Sequence, residues 1–151
     1  MVPVREAINS GTWFHFSSSD GDMQFRLKVL TFEKLDLSQV DEPQNIDEEE
    51  TGASWWLMKI EAINLSKQSL YSSFVLRKIL LVDQNDFQFN VIENNHLCCF
   101  SEFSKKAGLN RFFGKHLIPK TKIVGAISFR LPDEDEAEYS LAMVKGVVRE
   151  A

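Results

Sequence analysis

Trp56-Leu57-Met58-Lys59-Ile60-Glu61-Ala62-Ile63-Asn64 decides how this chain is read. Trp56, Met58, Ile60 and Ala62 stand two residues apart, the period of a strand that buries one face. In that phase Trp56 is the core residue. Trp55 then falls on the mixed face with Leu57, Lys59 and Glu61. The strand is expected over 54–64 and closes on Asn64, a residue type suited to turns.

The same alternation recurs on both sides of this stretch. Residues 13–16 form a short candidate strand. In 23–35, Met23, Phe25, Leu27 and Val29 alternate with Gln24, Arg26 and Lys28. Further strands are expected over 74–82, 87–92, 122–131 and 138–145. Asp83-Gln84-Asn85-Asp86 is a polar turn that makes 74–92 a hairpin. Seven short strands joined by polar turns predict an all-β fold, an antiparallel sandwich. No long helical stripe with caps interrupts them. The one helix expected is 101–108, with Ser101 as its cap and Gly108 as its left-handed stop. It sits in the 93–121 connection between the fifth and sixth strands (the E–F connection), which is too long for an idle loop.

Length and composition agree with that class. The chain has 151 residues, and one domain over 1–151 is expected, with its core at about 12–145. Hydrophobic residues make up 44% and charged residues 26%, which excludes a disordered chain. Twelve Phe, three Trp and two Tyr supply a strongly aromatic core. The longest apolar runs, such as Ile79-Leu80-Leu81-Val82, fall far short of the ~20 residues of a membrane-spanning helix. A net charge of −5 makes a phosphate backbone a poor partner for the protein as a whole. The only cysteines, Cys98 and Cys99, are adjacent, and neighbours on an extended chain point to opposite faces. No disulfide framework follows, and two free thiols suit a reducing compartment. Met1-Val2-Pro3-Val4-Arg5-Glu6 has no signal-peptide character. The expected location is cytoplasmic if Met1 is the true start, and exported or lipid-anchored if a leader has been removed.

Three motifs in order resemble a known family. The first is the strand running into Asn64. The second is Leu81-Val82-Asp83-Gln84-Asn85-Asp86-Phe87-Gln88-Phe89, similar to a "hydrophobic-Asp-x-x-Gly-x-x-aromatic" hairpin with Asp86 where Gly is usual. The third is Leu117-Ile118-Pro119 followed by Gly125, Ile127, Phe129, Leu131 and Pro132. Together they resemble the immunoglobulin-like domains of unknown function common in bacterial lipoproteins and exported proteins. The resemblance implies an immunoglobulin-like β-sandwich and a binding role, and it brings no catalytic residues. The chain departs from the family pattern in showing no lipoprotein leader and in its more aromatic and basic 93–120 segment.

Chemistry-bearing residues are few. His96, Cys98 and Cys99 are the nearest approach to metal-ligand spacing or to a cysteine nucleophile beside a histidine. They define the alternative reading, a metal-binding protein or an enzyme, which requires them to converge with His15 or His116. The plainer expectation is that both cysteines pack as small apolar groups. No nucleophile elbow, phosphate loop or dinucleotide fingerprint occurs. Residues 100–120 interleave Phe103, Phe112 and Phe113 with Lys105, Lys106 and Arg111, a composition that suits a protein interface or single-stranded nucleic acid. The leading reading is a non-catalytic binding module for a protein partner, without a small-molecule cofactor.

Charge adds one expectation. If successive strands alternate direction, the loops 36–53, 83–86 and 132–137 emerge at the same end. They carry 13 of the 22 acidic residues and no Lys or Arg. An acidic pole would face a basic one built on the E–F connection. Asp83, Asp86, Asp133 and Asp135 are the carboxylates placed to receive a divalent cation or a basic partner.

Overall fold

The computed structural model describes residues 2–35, 52–92 and 116–151, together with the backbone of 110–111. Eleven strands and two short helices are present among them: α1 (Val4–Ser10), β1 (Trp13–Ser18), β2 (Gln24–Lys34), β3 (Ala53–Asn64), β4 (Leu70–Tyr71), α2 (Ser72–Leu76), β5 (Ile79–Val82), β6 (Gln88–Asn90), β7 (Asn110–Arg111), β8 (His116–Leu117), β9 (Lys122–Pro132), β10 (Ser140–Met143) and β11 (Gly146–Glu150). The large sheet has the order β11-β1-β2-β3-β9-β7, and a three-stranded sheet, β10-β5-β6, packs on it. A small ribbon joins β4 to β8. All pairings are antiparallel except β7 on β9. The architecture is a β-sandwich.

Alternation builds the core. Phe14 and Phe16 of β1, Phe25, Leu27 and Val29 of β2, Met58, Ile60 and Ala62 of β3, and Ile127, Phe129 and Leu131 of β9 all face inward. They meet Ile79, Leu81, Leu141 and Met143 from the small sheet. Each large apolar side chain so buried contributes about 1.5–3 kcal/mol. β2 changes phase part-way: Val29 pairs with Ile60 but Thr31 with Lys59, so Leu30 is an extra residue. That bulge turns Phe32 inward, where it packs 4.9 Å from Trp56 and edge-on to Phe129 and Tyr139.

Several expectations change. Residues 74–76 are helical rather than the start of a strand, because Ser72, Val75 and Leu76 are buried while Phe74 is exposed, a pattern that does not alternate. The strand expected over 138–145 divides: β10 belongs to the small sheet, and after a turn at Val144-Lys145 the chain enters the large sheet as β11. Gly146 permits that crossing, since a Cβ there would stand 2.6 Å from the Ser17 carbonyl oxygen. The buried core also extends beyond 12–145, taking in Val4 and Ala7 of α1 and Val148 of β11. The tryptophans face as expected, but their burial is reversed. Trp55 is buried on the outer face beneath the Arg130 guanidinium, 5.1 Å from its ring, whereas Trp56 is only partly buried against the core. The helix expected over 101–108 lies outside the described residues.

Candidate functional site

Strand direction sorts the connections into two ends. β2 and β9 finish where β3 begins, with Lys34 opposite Trp56 and Ala53 opposite Pro132. The Asp133 amide donates to the Gly52 carbonyl at 2.7 Å. Gln84, from the β5–β6 turn, receives the Glu138 amide at 3.0 Å and donates to the Glu136 carbonyl at 3.4 Å. The described parts of the three acidic loops therefore do share one end. Asp83, Asp86, Asp133, Glu134, Asp135, Glu136 and Glu138 gather there, with Lys34 paired to Asp133 at 3.7 Å.

Among the described residues these carboxylates do not form an ion cage. Asp83 is buried, and its Oδ1 accepts the amides of Asn85 at 2.9 Å and Phe87 at 3.0 Å, closing the turn that leaves Asp86 at φ 66°. Asp133 accepts the Ser54 hydroxyl and faces Lys34. Among the described residues no three His, Cys, Asp or Glu side chains converge on a point that would hold a metal. Asp83→Ala is expected to cost about 1–2 kcal/mol, because it strands two turn amides. Asp83→Asn keeps an acceptor and should recover most of that loss in urea denaturation.

The same end perturbs Tyr139. Burial first, then the carboxylates of Glu134 and Asp83, push its phenol above the ordinary value of about 10. A raised phenol contributes stability that is complete below about pH 10 and is lost as pH rises towards the folded value. Alkaline difference spectroscopy should show one phenol ionising late, and Tyr139→Phe should abolish that component.

The opposite end is built around Asn64. Its buried amide donates to the carbonyls of Leu117 at 2.7 Å and Gln68 at 2.9 Å, while its Oδ1 accepts the Ser66 amide at 2.8 Å. The Ser66 hydroxyl bonds the backbone of Gln24 on both sides. One asparagine thus ties the 65–70 connection to β8, and its neighbour Ser66 ties that connection to β2. Between this connection and the β1–β2 turn lies an open groove of about 630 Å3, lined by Met23, Leu65, Leu70, Asp20, Lys67 and Lys78 among others. The Ser18 hydroxyl and the Asp22 amide bond the Asp20 carboxylate and hold it below the usual carboxylate range.

At the same end an apolar patch faces solvent. Tyr71 on β4 and His116 on β8 are opposite each other, with rings 4.9 Å apart, and Phe74 on α2 packs 6.2 Å from Tyr71. His116 and Ile118 are exposed on either side of buried Leu117. Phe74 is 56% and Ile118 58% exposed, far more than a core residue. Lys67, Lys78, Lys120, Lys122 and Lys145 occupy the same end, against Asp20 and Asp22. Lys122 pairs with Glu61 at 3.8 Å.

Of the residues expected to bind a partner, Phe103, Lys105, Lys106, Phe112 and Phe113 lie outside the described residues, as do His96, Cys98 and Cys99. Arg111 is described only as backbone in β7. His15 bonds Gln24 at 3.1 Å on β1, in a different sheet from His116. The exposed patch was not expected from sequence. Its signal was present as Tyr71-x-x-Phe74, one helical turn, and as His116-x-Ile118, one strand repeat.

No family model and no curated protein matches the sequence. By structure, the chain is similar to a conserved hypothetical protein from Bacillus anthracis, with TM-score 0.54 and 14% identity over 92% of this chain and 96% of that one. It is also similar to MPT63, a secreted protein from Mycobacterium tuberculosis, with TM-score 0.48 and 8% identity over 86% and 90%. A third similarity, to a lipoprotein candidate (ycdA) from Bacillus subtilis, has TM-score 0.48 and 10% identity; it covers 91% of this chain but 38% of that one. What the similarity to the Bacillus anthracis protein shows for this chain is its fold, the β-sandwich described above.

Proposed function

We propose that this protein is a non-catalytic interaction module that binds a protein partner through the Tyr71–Phe74–His116–Ile118 end of its sandwich. The observation that carries this reading is the exposed aromatic patch itself, held rigidly by Asn64 and set among lysines. Exposed aromatic side chains on a fixed scaffold have the composition of an interface centre. Their lysine surroundings favour a partner that presents carboxylates around an apolar anchor.

Panning a displayed library of random peptides against the folded protein tests this. Enriched peptides should combine an aromatic residue with flanking acids. Their binding should fall at least about tenfold, some 1.4 kcal/mol, in Phe74→Ser or Tyr71→Ala and should survive Val147→Ser, an exposed position on β11. Peptides that bind the Phe74→Ser protein unchanged, or a library that yields none, would overturn the reading.

A further inference from the structure

The acidic end carries an apolar group of its own. Phe87, at the tip of the β5–β6 turn, is 65% exposed, and the next residues along the turn and the facing loop are Asp86, Glu134, Asp135 and Glu136. Phe87 is held outward because its amide is tied to Asp83 Oδ1 and its carbonyl to the Asp83 amide. This tip places one exposed aromatic side chain at the end of the sandwich where the acidic residues gather. At the other end of the same molecule, Tyr71, Phe74 and Ile118 of the patch and Leu65 of the groove offer apolar surface, with Lys67 and Lys78 lining the groove and Lys120 two residues from Ile118.

We infer that this patch receives the acidic tip of a second copy of the chain, so that molecules associate head to tail. The inference rests on the patch being the interaction surface proposed above, and it names the partner. Charge complementarity selects the second copy: among the described residues, seven acidic residues with one lysine at one end face five lysines with Asp20, Asp22 and Glu61 at the other. Two different surfaces meet in such a contact, so it is heterologous, and each molecule keeps a free tip and a free patch. Asp20 and Asp22 line the groove, where the Ser18 hydroxyl and the Asp22 amide already bond the Asp20 carboxylate. Lys67 in the groove and Lys120, two residues from Ile118, are the lysines assigned to meet the tip.

Sedimentation velocity of the intact protein tests the inference. At an ionic strength of about 0.01 M, where the Debye length is roughly 30 Å, the weight-average mass should rise with concentration above the monomer. At about 1 M, where that length is roughly 3 Å, the mass should return to the 17.3 kDa of one chain. Two variants at exposed positions are decisive. A tip variant (Asp86→Asn with Phe87→Ser) and a patch variant (Lys67→Gln with Phe74→Ser) should each remain monomeric alone. Mixed, they should form pairs and nothing larger, since only one intact tip and one intact patch are then available. A wild-type protein that stays monomeric at low salt overturns the inference. So does association that is insensitive to salt, or that persists in either variant alone. If the wild type is monomeric while acidic aromatic peptides still bind the patch, self-association falls and the interaction surface stands. If those peptides fail as well, both fall.

Discussion

Asn64→Ala is expected to destabilise the protein by about 3 kcal/mol or more and to disorder the surface assigned to binding. The side chain is buried and makes three hydrogen bonds, two to carbonyls and one to an amide. Alanine leaves the Leu117 and Gln68 carbonyls and the Ser66 amide unpaired in a dry environment, at about 1–3 kcal/mol for each group that water cannot reach. Asn64→Asp should also fail, since a carboxylate cannot donate to the two carbonyls. Chemical denaturation gives the magnitude. Hydrogen exchange gives the locality: amides in 65–71 and 116–120 should lose protection well before those of β3 and β9. Uniform loss of protection would mean that Asn64 supports the sandwich as a whole and not the binding end.

Phe25→Ala should cost more, about 3–5 kcal/mol. Phe25 is fully buried and stacks on Phe16 with centroids 4.6 Å apart and planes 14° from parallel. Its neighbours sit on β1 and β3, which are locked into registers of five and nine paired residues with β2, so the site cannot collapse without moving the sheet. Phe25→Leu keeps most of the volume and should lose less than half as much. A thermal melt of the three proteins orders them, and near-equality of the alanine and leucine variants would show that the cavity closes.

Much of this molecule was legible along the chain. Alternation at Phe25-x-Leu27-x-Val29 and Met58-x-Ile60-x-Ala62 named the inward faces, because a strand with one dry side has only one phase open to it. Asn64 and Asp83 announced turns through side chains that bond the backbone two and four residues on. The placement of the 83–86 and 132–137 loops at one end followed from strand alternation, and Gln84 bonded to Glu136 and Glu138 bears it out. Three features could not be read this way. Residues 72–76 form a single helical turn, too short for periodicity to declare itself, and their conformation follows from where Val75 and Leu76 find a core. The break between β10 and β11 depends on Gly146 passing the Ser17 carbonyl, a contact between residues 129 positions apart.

The patch of Tyr71, Phe74, His116 and Ile118 is the clearest case. Composition fixes how many aromatic residues the chain owns and local pattern fixes which strand faces are apolar, so both belong to the sequence by itself. Which aromatic side chains remain outside is settled only when all elements compete for one interior. Phe14, Phe16, Phe25 and Phe129 are fully buried in that interior, and the β4–β8 ribbon is left at its margin with its rings facing water.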